Sequence, residues 1–316
     1  MTTNEFDIID RYFKRLQVES NAVVIGPGDD CAVLSVPAGE ELCVSTDTLI
    51  EGVHFPVGAS AEVAVSRTMA ANLSDLAGMG ASPFSFVLAI TMPSANEDWL
   101  EACSEELARN IQQYGIPLVG GNLARGQLSL TVTVMGTVPA GCAVPRAGAA
   151  PGDDIYVTGC LGDAAKGLEL MRRGQQDGYL VNRYCRPTPR IEAGIALRGV
   201  ASAMIDISDG LMSEIGHICE VRGYGAEIMT DAIPLSDELM NAAGEDSATR
   251  MALFAGDDYE LCFTAPSGKS DEIEQLAESL DLPMSRVGII IDEPGINARR
   301  PDGTWMPYGG TGYQHF

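Results

Sequence analysis

Residues 138–152 read VPAGCAVPRAGAAPG, and eleven of these fifteen positions are Ala, Gly or Pro. No strand or helix period survives such a run, so it reads as a junction between independently patterned halves. It divides the 316-residue chain into an N-terminal domain (1–138), a linker (139–152) and a C-terminal domain (153–316). Both halves mix strand and helix patterns, which predicts an α/β protein of the α+β type with two mixed α/β domains.

Upstream of the junction, Phe6, Ile9, Phe13 and Leu16 recur at spacings of three and four, predicting an amphipathic helix. Short β-like runs follow at 22–25, 31–36 and 41–46, separated by Gly, Pro and Asp turns. A small-residue helix is expected over 61–77, a buried strand over 84–92, a helix over 95–114 and a half-buried strand over 128–138. Downstream, strands are expected at 154–159, 260–264 and 286–291, with another ending at Asp206. Helices are expected at 162–173, 188–200, 208–222 and 269–281.

The chain carries 44 acidic and 20 basic residues, a formal charge of −24, and its only lysines are Lys14, Lys166 and Lys269. Nucleic acid is excluded as a partner, because backbone binding needs a basic face. A 46% hydrophobic content with 20% charged residues describes a globular chain rather than a disordered one. The eight cysteines include no C-x-x-C pair, so zinc and thioredoxin chemistry are not indicated and reduced thiols are expected. No signal peptide or apolar membrane span is legible, so a cytoplasmic protein without a membrane partner is expected.

Two short motifs mislead. GKS at 268–270 lacks the glycine that a phosphate-wrapping loop needs five positions before its second glycine; Phe263 stands there. Residues 26–31, GPGDDC, begin like a dinucleotide fingerprint but lack its third glycine, and two carboxylates there repel a pyrophosphate.

The informative feature is aspartate beside glycine at the ends of predicted elements. Asp29 and Asp30 lie in GPGDD, Asp47 in STDTLIEGVHF, Asp75 in NLSDLAGMGA, Asp206 and Asp209 in IDISDGL, and Asp257, Asp258 and Glu260 in GDDYEL. Singly, each has an ordinary reading as a turn residue, a solvated charge or a helix cap. Asp75 fits least well, since a carboxylate in a last helical turn meets the negative end of the helix dipole. Several carboxylates converging on one cleft require bound cations, and oxygen donors without a His/Cys cluster point to Mg²⁺. Such ions bridging a polyphosphate describe phosphoryl transfer. Calcium storage is the non-enzymatic reading, and it leaves the adjacent glycines unexplained.

GPGDDCAV, STDTLIEGVHF, NLSDLAGMGA, the GGN of 120–122, PGDDIYVTGCLGDAAKGL, RPTPR, IDISDGL, GDDYELCF and the terminal GYQHF, in this order, closely resemble the bacterial thiamine-monophosphate kinase family. That family belongs to the aminoimidazole-ribonucleotide synthetase-like ATP-binding superfamily, and the resemblance covers essentially the whole chain. It implies ATP as co-substrate, thiamine monophosphate as acceptor and thiamine diphosphate as product, the last step of that cofactor's biosynthesis. It also implies several Mg²⁺ ions, room for a monovalent cation, and a homodimer in which the N-terminal sheets pair.

Carried over residue by residue, Asp30, Ser45, Thr46, Asp47, Asp75, Asp206 and Asp209 match magnesium ligands. Gly120, Gly121, Arg146 and Ser208 match ATP-binding positions, and His54, Glu260 and Tyr313 match substrate-binding ones. No covalent or general-base catalytic residue is implied. One position departs: the family usually has Asp after the paired glycines, where this chain has Asn122, which keeps an oxygen donor but brings no charge. Two further readings stand beside this one. One is a superfamily relative acting on another acceptor, and the other a non-catalytic nucleotide or metal sensor.

Overall fold

The computed structural model describes residues 5–16, 18, 20 and 22–306, and the side chains of Glu5 and Phe6 are outside the description. The chain forms two compact units, Met1–Leu76 with Ala81–Gly141, and Ala77–Gly80 with Cys142–Phe316.

The first unit opens with α1 (Glu5–Ile8), a π-helical turn (Ile9–Phe13) and a 3₁₀ turn (Lys14–Leu16). Its buried stripe is Ile8, Tyr12 and Leu16: Leu16 is buried as expected, whereas Ile9 and Phe13 are half-buried and their preceding residues take the buried places. The π turn is the physical reason: each turn holds more residues than an α turn, and side chains four apart stay on one side. β1 (Val23–Ile25) and β2 (Val33–Leu34) make a small antiparallel pair.

A four-stranded sheet follows in the order β3-β6-β4-β5, built from β3 (Glu40–Ile50), β4 (Ser82–Met92), β5 (Leu118–Arg125) and β6 (Ser129–Pro139). Only β4 and β5 run parallel. Period-two burial sets its faces: Leu130, Val132 and Val134 are buried while Thr131 and Thr133 between them are half-buried. α2 (Ala61–Gly78) lies over the inner face at Gly136, where an added Cβ would meet the Leu76 side chain at 2.8 Å. α3 (Glu97–Tyr114) starts at Asn96, whose side chain accepts the Trp99 N–H, and stops at Gly115 with φ 61°.

The second unit is a seven-stranded sheet in the order β13-β12-β9-β11-β7-β10-β8. Its strands are β7 (Asp153–Thr158), β8 (Ala203–Asp206), β9 (Gly225–Met229), β10 (Leu261–Pro266), β11 (Met284–Ile291), β12 (Gly295–Arg299) and β13 (Trp305–Met306). All pairings are antiparallel except β9 with β12. The helices are α4 (Asp163–Arg172), α5 (Tyr179–Cys185), α6 (Ile191–Ala196), α7 (Leu211–Glu220), α8 (Asp237–Ala243), α9 (Glu245–Phe254) and α10 (Ser270–Leu280).

Ile155, Val157, Ile205, Ile215, Ile228 and Val287 belong to its continuous apolar core. The expected helix over 188–200 is shorter, and α5 precedes it. Residues 139–152 are not structureless: Arg146–Gly148 form a 3₁₀ turn, and Val144 donates its N–H to the Met79 carbonyl at 3.1 Å. No helix among the described residues is long and apolar enough to cross a membrane, and none of the eight cysteines is disulfide-bonded.

Candidate functional site

In the first unit the pleat of β3 sorts the STDT residues. Ser45 and Asp47 point to the inner face beneath α2, whereas Thr46 points to the opposite, open face. The Ser45 hydroxyl donates to Asp75 Oδ2 at 2.5 Å, and the Asp47 N–H donates to Asn72 Oδ1 at 3.1 Å. Asp75 sits in the last turn of α2, which has no basic residue to offset the dipole. Burial pushes the Asp47 carboxyl above its ordinary range. Thr46 instead donates its hydroxyl to the Val132 carbonyl at 3.0 Å and pairs with Thr133, so its side chain is separated from Ser45 and Asp47. His54 Nδ1 accepts the Ile50 N–H at 3.0 Å, which leaves Nε2 to carry the proton of a neutral ring.

A cavity of about 440 Å³ in the same unit brings together Asp29, Asp30, Gly120, Gly121 and Asn122. The two glycines differ. A Cβ on Gly121 would fall 2.0 Å from the Leu88 carbonyl oxygen, so the neighbouring strand requires that glycine. At Gly120 the nearest atom would be 3.5 Å away, ordinary contact, so nothing in the fold demands its missing side chain. Backbone open to a ligand is the remaining use for Gly120.

In the second unit β8 ends at Asp206 and α7 begins at Leu211, three residues later than the pattern predicted. Ser208 and Asp209 therefore lie in the turn before the helix. Gly210, with φ 105°, is the N-cap and no side chain caps the helix, which removes the ordinary capping reading of Asp209. Buried Glu214 instead accepts the Asp209 N–H at 3.0 Å and, more weakly, the Ser208 hydroxyl at 3.4 Å. Burial pushes Glu214 up to about 7; the Asp209 N–H opposes the rise, the Asp209 carboxylate adds to it, and Arg146 opposes it.

GDDYEL grips this turn from the other side. Asp257 donates its N–H to the Ser208 carbonyl and Tyr259 to the Ile207 carbonyl, both at 2.9 Å, while Ile207 donates to the Glu260 carbonyl at 2.8 Å. A Cβ on Gly256 would fall 1.9 Å from the Ser208 oxygen. Asp257 and Tyr259 both hold positive φ, 71° and 52°, strain that costs about 1–3 kcal/mol each and persists where the surroundings enforce it.

Glu260 is fully buried with its carboxylate occupied. Arg190 binds it bidentately at 2.7 and 2.6 Å, Arg183 donates at 2.9 Å and Thr158 at 2.7 Å. A Cβ on Gly159 would strike this carboxylate at 2.4 Å, which explains the glycine after the strand. Beside it, Asp163 accepts from Tyr179 and Ser236, and Asp258 accepts the Gly162 N–H at 2.8 Å. Sequence reasoning gave Arg183, Arg190, Asp163 and Glu214 no role, and it named Asp258 only among the aspartates beside glycine. The second arginine of RPTPR and the aspartate of CLGD were the available signals.

Burial pushes Asp258 up to about 8, so the native state holds its proton where the unfolded chain has lost it. Stability from this group is present at low pH and falls as pH rises toward 8, by about 1.4 kcal/mol per pH unit while the two states differ by one proton. The thermal midpoint is expected to fall between pH 5 and 8.5, and Asp258→Asn to flatten that fall. An unchanged slope in a melting series excludes Asp258 as its source.

Among the described residues no three His, Cys, Asp or Glu side chains converge closely enough to hold a metal unaided. The donors present are nonetheless carboxylate and hydroxyl oxygens, the set that suits Mg²⁺, which takes only one or two carboxylates and completes its shell with water and phosphate. Tyr313 lies outside the described residues.

Comparison with known proteins agrees with this two-domain fold. Family models match residues 28–138, as the N-terminal domain of AIR synthase related protein, and 150–300, as its C-terminal domain. The thiamine-monophosphate kinase of Salmonella typhimurium is 43% identical, covering 100% of this chain and 99% of the relative. The crystal structure of thiamine-monophosphate kinase from Stenotrophomonas maltophilia K279a superposes with a TM-score of 0.88 at 43% identity, covering 97% of this chain and 99% of that one. A structure described as AaThiL complexed with AMPPCP and TMP matches at 30% identity with a TM-score of 0.79, covering 99% of this chain and 97% of that one. This chain belongs to the thiamine-monophosphate kinase family.

Proposed function

We propose that this chain transfers the γ-phosphate of ATP to thiamine monophosphate, giving ADP and thiamine diphosphate. The observation that carries the reading is the Ser45–Asp75 hydrogen bond beside partly buried Asp47, oxygen donors held where the α2 dipole and burial both disfavour uncompensated charge. Asp30, Ser45, Asp47 and Asp75 in the first unit, and Asp206 and Asp209 in the second, are assigned to magnesium. Thr46 can contribute only from its backbone on that side of β3. Bound Mg²⁺ supplies positive charge to the phosphates, which three lysines do not.

The protein's own residues position the reactants. The Gly120 backbone approaches phosphate, Arg146 offers an exposed guanidinium fork, and Ser208 is held by Glu214 and Asp257. His54 offers its Nε2–H to the substrate. Glu260 acts through the arginines it orients, because its oxygens are already shared among Arg183, Arg190 and Thr158. The attacking oxygen belongs to the substrate's own phosphate, ionised near neutral pH, so no side chain needs to remove a proton.

A homodimer is assigned to the open face of the first unit's sheet, where Leu42 and Val44 are 43% and 59% exposed beside the Thr46–Thr133 and Thr48–Thr131 hydroxyl pairs. Free thiols fit a cytoplasmic location.

An ADP-release assay tests the function. Release should depend on thiamine monophosphate, ATP and Mg²⁺ together, and running it in potassium and in sodium reads any monovalent cation. Nucleotide binding without release under those conditions favours the sensor reading. Asn122 lines the cavity without a charge, so metal affinity there rests more heavily on the nucleotide. Asn122→Asp is expected to lower the Mg²⁺ concentration giving half-maximal activity by about 5–10-fold, on the order of a charge-assisted contact. An unchanged titration contradicts this role.

A further inference from the structure

Helix α2 buries a cation. Arg67 is 1% exposed, and Val65, Met69, Ala70 and Ala71 of the same helix are buried apolar residues. A guanidinium taken out of water is costly unless fixed partners receive its hydrogen bonds, and an apolar side chain would fill the volume without that cost. Arg67 Nε donates to the His54 carbonyl at 3.3 Å. Ile50 holds the same histidine at two further atoms: its N–H donates to Nδ1 at 3.0 Å and its carbonyl accepts the His54 N–H at 2.9 Å. Gly52, with φ 80°, turns the chain and donates its N–H to the carbonyl of buried Phe55 at 2.7 Å. Residues 50–55 are thus a loop clipped to its own start, and Arg67 ties that loop to α2.

The tie belongs to a series. Asp75 receives the Ser45 hydroxyl at 2.5 Å, Asn72 receives the Asp47 N–H at 3.1 Å, and Arg67 reaches His54, so α2 read backwards meets STDTLIEGVHF read forwards. Asn72 is itself fixed, because its Nδ2 donates to the Thr68 carbonyl at 2.9 Å. We propose that Arg67 is a positioning residue for thiamine monophosphate: through the His54 carbonyl it sets where the imidazole presents its Nε2–H to the acceptor substrate. The inference rests on the reading of His54 as a substrate contact and deepens it. Arg67 is enclosed by the fold, so it acts through His54 and not on the substrate itself. A hydrogen bond weakens steeply as distance and angle depart from their optimum, which makes the seat of the donor as consequential as its identity.

The chain has three histidines, His54, His217 and His315, so histidine-selective ¹⁵N labelling leaves three imidazoles to resolve by NMR, and His54→Gln assigns one of them. Thiamine monophosphate is expected to shift the wild-type His54 Nε2 resonance. Arg67→Met is expected to move the His54 ring resonances of the ligand-free protein. It should also raise KM for thiamine monophosphate by about 5–10-fold, with kcat and KM for ATP held within about twofold. Arg67→Lys keeps a buried charge without the guanidinium fork and serves where the methionine variant does not fold; the same KM should rise about 3-fold or more. In a His54→Gln background either substitution should change that KM by less than about 1.5-fold, because no ring remains to be placed. Unchanged His54 resonances and an unchanged KM in the folded variants overturn the proposal. An effect that persists in full without the His54 ring, or that falls equally on KM for ATP, also overturns it, since Arg67 then only supports the fold. Wild type that turns over thiamine monophosphate without shifting His54 sinks this inference and leaves the kinase reading standing. Wild type that never turns it over sinks both.

Discussion

Asp47→Asn is expected to lower kcat/KM by roughly 10²–10³-fold, the scale on which one preorganised electrostatic contact acts at a phosphoryl-transfer centre. The same change should raise the thermal midpoint of the ligand-free protein. Burial raises the Asp47 carboxyl above its ordinary range, so its charge destabilises the fold, and a neutral amide of the same shape removes that cost. Asn72 receives the Asp47 N–H and not its carboxylate, so the strand contact survives the substitution. A third quantity separates a metal-handling role from a merely structural one: the rise in thermal midpoint on adding Mg²⁺–ATP should shrink, since ligand binding stabilises in proportion to affinity. A variant that keeps its activity and the full Mg²⁺–ATP shift removes Asp47 from the metal site.

The second large effect is on stability. Arg190→Ala strips two of the donors from the buried Glu260 carboxylate, leaving Arg183 and Thr158. Breaking one side of a buried ion pair costs about 3–5 kcal/mol, because a desolvated charge is left under-compensated. For a unit of this size that corresponds to a fall in thermal midpoint on the order of 6–20 °C. Arg190→Lys should recover little, since an ammonium cannot reproduce a bidentate fork. Gly159, whose hypothetical Cβ sits 2.4 Å from the same carboxylate, leaves no room for another side chain to fill the loss. A midpoint within about 2 °C of wild type would mean that Glu260 is balanced without Arg190.

These two sites show how far the amino-acid pattern reaches. The periodicities of 61–77, 84–92, 128–138 and 286–291 announced their elements, because local burial patterns create them. β5 escaped notice: LVGGNLAR carries two central glycines and exposed polar positions, and its strand identity comes from parallel pairing with β4. The N-terminal helix was legible but its face only at Leu16, since a π turn changes the angular step between residues without altering composition.

Within the candidate site, adjacency in sequence hides the geometry at Thr46. Ser45, Thr46 and Asp47 are neighbours in the chain, yet a strand sends alternate side chains to opposite faces. At Glu260 the hidden part is the partners. GDDYEL advertised an acidic residue but not the arginines at 183 and 190, about 70 positions earlier, that enclose it. Glu214 had no signal beyond its place in the first turn of α7, and only the backbone reversal at Gly210 brings its carboxylate to the Asp209 N–H.

The account's central claim is a direct transfer between two bound phosphates, with aspartates managing charge and no side chain carrying the phosphoryl group. ATP made chiral at its γ-phosphorus with oxygen isotopes, turned over with thiamine monophosphate, tests this most directly. A single in-line displacement predicts inverted configuration in the thiamine diphosphate formed. Retention would require two transfers through a phosphorylated residue and would contradict the claim.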